Sequence, residues 1–450
     1  MRIIIVGCGR VGLNLAGKLN ADGNDVTVVD MQASKVEDVT SRFDVLGIVG
    51  NGAMHTVLRE AGIQTADLLI AVTNSDEMNL LCCVVAKKEG KCKTLARVKN
   101  PEYSTEVGYL KEQLGLEMVI NPEYEAARKI ARVLRFPAAL KIERFAKGKV
   151  EIINIKLNSG NKLIGLSVQE MMAKYPSEIL VGTIERGEEA FIADGNFVFA
   201  EKDIVSLIGQ PKIVHDFLKR IDKQERVIKN ALIVGGDIIT HYLCELLENS
   251  GIALKIIEKE YKTCEELSIR WEKVDVICGK SNKELLLEEG IENTDAFVAL
   301  TNFDEENILL SLFAKEFEGE KLVTKIKRTD FDTIINRLDL ETVICPINIA
   351  SDIILRYVRA ARNARGSNVE SLYNLIQDKV EVSEFLVKEN SPMSGIALKE
   401  LNLKKDVLIA AINRGGELIL PRGNDVICAN DMVVIISKHL GLQDITDVLQ

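Results

Sequence analysis

Long apolar runs are missing from this chain of 450 residues. None approaches the roughly 18 residues that would cross a bilayer. The opening stretch Arg2-Ile3-Ile4-Ile5-Val6-Gly7 has too short an apolar core for a secretory signal, and glycines interrupt it. The chain is therefore expected to be cytoplasmic, with any membrane role exercised through a partner. Histidine is scarce: His55, His215, His241 and His439 are widely scattered and leave little from which to build a zinc site or a histidine-centred triad. The nine cysteines show no CxxC spacing and mostly sit in apolar stretches, the pattern of reduced, buried thiols, so no metal site is expected. Positive charge is in deficit, with 57 Lys+Arg against 67 Asp+Glu, a net charge of −10. A polyanion meets phosphate backbones badly, which argues against nucleic acid as a partner. What remains, 47% hydrophobic and 28% charged residues, is the balance of an ordinary globular protein, and the length suggests about three domains at roughly 150 residues each.

An internal repeat revises that count. The segment 3–7 (IIIVG) resembles 231–235 (ALIVG), and Gly7 falls on Gly235 at an offset of 228 (235 − 7). The same offset carries Asp30 onto Glu258, Gly62 onto Gly290, Thr73-Asn74 onto Thr301-Asn302, Asp76 and Asn79 onto Asp304 and Asn307, and Arg97 onto Lys325. It also aligns Arg186-Gly187 with Arg414-Gly415 and Asp203 with Asp431. Ordered matches over such a span mark a duplicated unit. Each half is a larger module followed by a smaller one, giving four domains: 1–135, 140–222, 228–362 and 369–450.

In the first large module, short β-branched runs at 2–6, 26–29, 45–49, 68–72, 94–98 and 117–120 alternate with helical patterns at 11–21, 53–61 and 76–88. Such alternation predicts an α/β fold with a doubly wound parallel sheet of Rossmann type, once in each half. Further helices are expected at 123–135 and 347–365, behind Pro122 and Pro346. The smaller modules show half-buried strand patterns at 149–157, 178–186 and 433–437 and one short helix near 165–174, which predicts a small α+β domain after each Rossmann-like one.

Gly7-Cys8-Gly9-Arg10-Val11-Gly12 is GxGxxG between a strand and a helix. The glycines permit a tight turn, close backbone approach to a pyrophosphate and close helix packing, while the helix N-terminus favours the anion. Asp30 ends the next strand, where a carboxylate accepts hydrogen bonds from ribose hydroxyls and disfavours a 2′-phosphate, so NAD(H) or a plain adenine nucleotide is expected rather than NADP. Thr73 and Asn74 follow the fourth strand and Asn51 the third, facing the expected ligand crevice; ordinary turn chemistry is the alternative for each. Arg10 has the reach for phosphate oxygens or is simply solvated. Arg97, ending the fifth strand, is a second phosphate contact or a surface residue. In the second half, Asp237 and Thr240 replace the second and third glycines while Glu258 keeps the ribose acid. A carboxylate there repels a pyrophosphate, so tight nucleotide binding is expected in the first half alone.

The duplicated module pair, GCGRVG with Asp30, Thr73-Asn74, and the turn Arg422-Gly423-Asn424 followed by Asp431 together resemble the TrkA family, whose larger modules are RCK (KTN) domains and whose smaller ones are TrkA-C domains. The resemblance implies a peripheral, cytosolic regulatory subunit that binds NAD(H) and ATP or ADP. It further implies a homotetramer that gates a potassium-translocating membrane subunit of the TrkH or TrkG type. Two other functions are compatible with the nucleotide motif: an NAD-dependent oxidoreductase and a nucleotide-dependent assembly scaffold. A dehydrogenase needs a proton donor or acceptor at the nicotinamide. The residues show no grouped acid-base set, so no enzymatic activity and no catalytic residue is expected.

Overall fold

The computed structural model describes all residues except 137–138, 146–147, 188, 222–227, 318–320, 329–334, 336–337, 339, 341, 364–368, 377–378, 440 and 443. The first sheet comprises β1 (Arg2–Val6), β2 (Asp25–Asp30), β3 (Leu46–Val49), β4 (Leu68–Ala71), β5 (Lys93–Arg97) and β6 (Met118–Ile120). All are parallel, in the order 3-2-1-4-5-6. The central strands are continuous apolar runs because both faces are covered: Leu68, Leu69, Ile70 and Ala71 have no exposed surface. Helix Arg10–Ala21 buries Leu15, Ala16 and Leu19. Helix Asp76–Glu89 is fixed at its start by Ser75, whose hydroxyl accepts from Met78 N–H at 3.1 Å, with Asp76 and Glu77 in the first turn and Lys87 and Lys88 in the last.

The small module that follows is an antiparallel sheet of β7 (Ala139–Phe145), β8 (Val150–Lys156), β9 (Ile179–Arg186), β10 (Glu189–Ile192) and β11 (Ile204–Gly209), in the order 10-9-11-8-7. Its short helix begins later than the sequence pattern suggests, at Val168, because Ser167 and Glu170 form a capping box there.

The second half repeats both. Strands β12 (Asn230–Val234), β13 (Ala253–Glu258), β14 (Asp275–Cys278), β15 (Ala296–Ala299), β16 (Lys321–Lys325) and β17 (Thr342–Ile344) form a parallel sheet in the order 14-13-12-15-16-17. Strands β18 (Val369–Ile376), β19 (Val380–Leu386), β20 (Val407–Arg414), β21 (Glu417–Ile419) and β22 (Met432–Ser437) form an antiparallel one, in the order 18-19-22-20-21. The repeat Arg186/Asp203 and Arg414/Asp431 is a matched ion pair in these sheets. Each guanidinium grips its buried aspartate with two bonds of 2.8–2.9 Å.

Modules alternate along the chain but associate by type. Residues 1–134 and 228–355, the two parallel-sheet modules, form one compact unit; 135–227 and 356–450 form the other. Within the first unit, helix Pro122–Arg135 of the first half sends Ala126, Ala127, Ile130, Ala131 and Leu134 into one core with Ile233, Leu243, Ile256 and Val298 of the second. Tyr242, 1% exposed, closes this contact: its hydroxyl accepts from Asn121 Nδ2 at 2.8 Å and donates to Lys99 O at 3.1 Å. Helix Pro346–Asn363 reaches back, with Asp352 3.1 Å from Lys18; the last two residues expected of it, 364 and 365, lie outside the described residues. In the second unit, Val150, Ile152 and Ile208 share a core with Val380, Val382, Val434 and Ile436.

Candidate nucleotide site

The carboxyl ends of β1, β2, β3 and β4 bring together most of the residues expected to form the site. Gly7 adopts φ +107°, a left-handed conformation, and a Cβ there would lie 2.9 Å from Thr73 N. Gly12 permits the helix to pack on the loop: a Cβ at that position would sit 1.8 Å from Gly7 O. Gly9 differs from both, because a Cβ there would meet nothing within 4 Å. Its place is the open face of the loop, and no side chain caps the helix that starts at Arg10. Helix-start N–H groups on an open, glycine-lined face suit an anion.

Asp30 is anchored rather than loose. Its Oδ2 accepts from Cys8 N at 2.7 Å and its Oδ1 from Gln32 N at 2.9 Å. Each carboxylate oxygen keeps a further acceptor position, so the group can take two hydroxyls of a diol while orienting the glycine loop. Cys8 itself is a packing residue. Burial and, secondarily, the charge of Asp30 push its thiol up to about 12, which removes it as a nucleophile. Val11 is 8% exposed and faces the core, so only its backbone borders the loop.

The remaining expected residues divide. Asn51 makes an Asx turn, accepting from Ala53 N at 2.9 Å, and Asn74 and Arg10 are exposed. Thr73 hydrogen-bonds Asn79 through both its N–H and its hydroxyl, each at 2.7 Å. Arg97 is paired with Glu123 at 2.6 Å, both side chains largely buried.

Sequence reasoning noted Asp76 and Asn79 only as repeat matches. Asn79 is fully buried and also donates to Thr73 O and Arg97 O, tying the ends of β4 and β5 together; Asp76 accepts from Lys99 N and Asn100 N. Asn307 and Asp304 repeat these bonds on Thr301, Lys325, Lys327 and Arg328. Their recurrence was the visible signal, but their partners are backbone groups, which carry no sequence mark.

The second loop keeps the backbone and changes the chemistry. Asp237 has φ −77° and ψ −176°, close to the −70° and −172° of Gly9. Its carboxylate turns onto the helix start, accepting from Ile239 N at 2.9 Å and Thr240 N at 3.3 Å. Fully buried Lys325, at the Arg97 position, neutralises it and also donates to Leu300 O at 2.7 Å. Thr240 stands where Gly12 stands in the first loop, its hydroxyl donating to Gly235 O at 2.6 Å. Glu258 holds the loop as Asp30 does, through Gly236 N at 2.6 Å. The chain thus supplies its own anion at the second helix start.

Two parallel sheets of 3-2-1-4-5-6 order, each with a strand–loop–helix turn and a following acid, define a tandem Rossmann-type architecture. The TrkA-N domain model matches residues 3–122 and 231–346, and the TrkA-C domain model matches 152–222 and 382–450. The chain is 32% identical over 451 residues to a Trk system potassium uptake protein TrkA homolog of Archaeoglobus fulgidus, covering 100% of both. It is also 32% identical to the Trk system potassium uptake protein TrkA of Halomonas elongata, covering 97% of this chain and 95% of that one. Among solved structures, the GsuK channel bound to NAD superposes with a TM-score of 0.65 at 16% identity, over 97% of this chain and 76% of that one. The chain belongs to the TrkA family, a family of potassium uptake proteins and not of enzymes. Among the described residues, no helix is long and apolar enough to cross a membrane.

Proposed function

We propose that this chain is the cytosolic, nucleotide-sensing regulatory subunit of a Trk-type potassium uptake system. In this reading, its first Rossmann module binds NAD(H) or ATP/ADP. The anchored Asp30 carboxylate beside the open Gly9 face carries the reading: the acid receives the ribose diol and the helix start at Arg10–Gly12 receives the diphosphate. Arg10 adds positive charge, the charge of Arg97 is answered by Glu123, and Asn51, Thr73 and Asn74 border the crevice. A homotetramer brings eight Rossmann modules into a closed ring, in keeping with the closed symmetry of most homo-oligomers. A nucleotide that binds one arrangement of the ring more tightly shifts its population, and the ring biases a potassium-translocating membrane subunit of the TrkH or TrkG type. The GsuK structures with NAD and with ADP support the choice of ligands by likeness of fold.

Calorimetric titration of the full chain tests the site. Asp30→Ala is expected to weaken binding of NAD⁺, NADH, ATP or ADP by more than tenfold in a protein that remains folded. Unchanged affinity for all four would overturn the assignment.

A further inference from the structure

In the second Rossmann module a cavity of about 330 Å³ is lined by residues at the ends of β12, β13, β14 and β15, among them Glu258, Gly279, Thr301 and Phe303. Small-molecule sites run from about 300 to 1,000 Å³, so the cavity is large enough for a compact ligand. Compared position by position with the first module, most of its lining has changed, and three of the changes fall at the ribose, base and phosphate positions. Asp30 becomes Glu258, which keeps a carboxylate at the ribose position, held by Gly236 N, Lys259 N and Glu260 N. Ser75 becomes Phe303, 55% exposed, with the Lys259 ammonium 5.2 Å from its ring centre. Gly9 becomes Asp237, whose carboxylate occupies the helix start. A ribose acceptor is retained, an aromatic surface is gained and the phosphate position is filled. Four carboxylates (Asp237, Glu258, Glu260 and Glu306) line the cavity against the one ammonium of Lys259, an electrostatic setting hostile to phosphate. Of the cations beyond the lining, Lys325 is fully buried beneath Asp237, and the Lys327 ammonium is engaged by Asn302 Oδ1 at 2.8 Å.

We infer that this cavity is a binding site for a nucleoside without a 5′-phosphate. The ribose 2′-hydroxyl donates to the one acceptor position left on Glu258 Oε2, the base lies against Phe303, and the 5′-hydroxyl donates to Asp237. Aromatic side chains offer a stacking face to any base, and a carboxylate has about four acceptor positions, of which backbone N–H groups take three at Glu258. The inference does not depend on diphosphate binding in the first module, and its test is made with that module disabled.

Adenosine is titrated into the full-length Asp30→Ala chain by calorimetry, with 2′-deoxyadenosine and AMP as comparisons. Saturable binding of one adenosine per chain is expected, with 2′-deoxyadenosine and AMP each at least tenfold weaker. Adding Glu258→Gln, whose one oxygen is claimed by Lys259 N and Glu260 N so that an NH2 replaces Oε2, should weaken adenosine at least tenfold. The inference is overturned by no adenosine binding, by AMP binding as tightly as adenosine, or by adenosine affinity that survives Glu258→Gln. The deoxyadenosine and AMP comparisons need no second substitution, so they decide the matter even where Glu258→Gln fails to fold. Nucleotide titration of the unmodified chain reports separately on the first module.

Discussion

A single position, Gly9 in the first loop and Asp237 in the second, decides whether each helix start is open to an external anion. The two residues share backbone dihedrals, so the difference lies in the side chain alone: two hydrogen bonds to the helix start and an ion pair to a buried lysine. The compensating change is at Arg97/Lys325. Arg97 engages Glu123, while Lys325 turns inward onto Asp237. A buried ion pair is stabilising only when its partners are present together, so neither residue is free to change alone. A different residue adds an acid sensitivity to the second module. Burial, with the Arg270 charge second, lowers His241 from 6.5 to about 4. The folded state therefore binds this proton less readily than the unfolded chain. The stabilisation is fully present above pH 6.5 and is lost progressively as pH falls toward 4, by at most about 3 kcal/mol. Urea unfolding at pH 7.5 and pH 5 should show this loss, and His241→Gln should flatten it. An unchanged pH slope in that variant would assign the acid sensitivity elsewhere.

At the scale of elements, helix Pro122–Arg135 joins the two Rossmann modules. Three alanines bring it close, and Ile130, with no exposed surface, fills the space between it and the second sheet. Truncating such a residue typically costs about 2–5 kcal/mol. Trp271, the chain's single tryptophan, packs against the same cluster from the second module. Ile130→Ala in the first half should therefore lower the unfolding midpoint reported by Trp271 fluorescence in the second. A Trp271 transition that does not move would show that the halves unfold independently. The strands of the first parallel sheet were legible as short β-branched runs bounded by turn or polar residues, and the second sheet through the repeat, whereas helix Ala33–Arg42, which buries only Val36 and Val39, was not legible. Helix Pro122–Arg135 was legible as an element, but its partner was not. Its face of Ala126, Ala127, Ile130 and Ala131 suits any flat apolar surface, and nothing local says that the surface lies a hundred residues away. Strand β7 escaped notice for a related reason: Lys141, Glu143 and Arg144 interrupt any apolar run. In the site, Gly7, Gly12 and Asp30 could be read because their roles depend on residue type. The roles of Asn79 and Asp76 could not, because they bind backbone atoms.

At the scale of the whole molecule, duplication has produced two unequal glycine loops inside one compact unit. The fold is preserved in both halves down to the buried asparagine and the aspartate beside it, while the side chains at the helix start have diverged. Because the two Rossmann modules share a core, cutting the chain between its halves would remove part of that core from each fragment, so the asymmetry is to be measured on the intact protein. The central claim is that a nucleotide diphosphate binds in the first module and not in the second. The most direct measurement is the calorimetric stoichiometry of ADP and NAD⁺ on the full chain and on its Asp30→Ala and Glu258→Ala variants. One equivalent per chain is predicted, lost with Asp30→Ala and retained with Glu258→Ala. Two equivalents per chain, or binding that survives Asp30→Ala and disappears with Glu258→Ala, would contradict it.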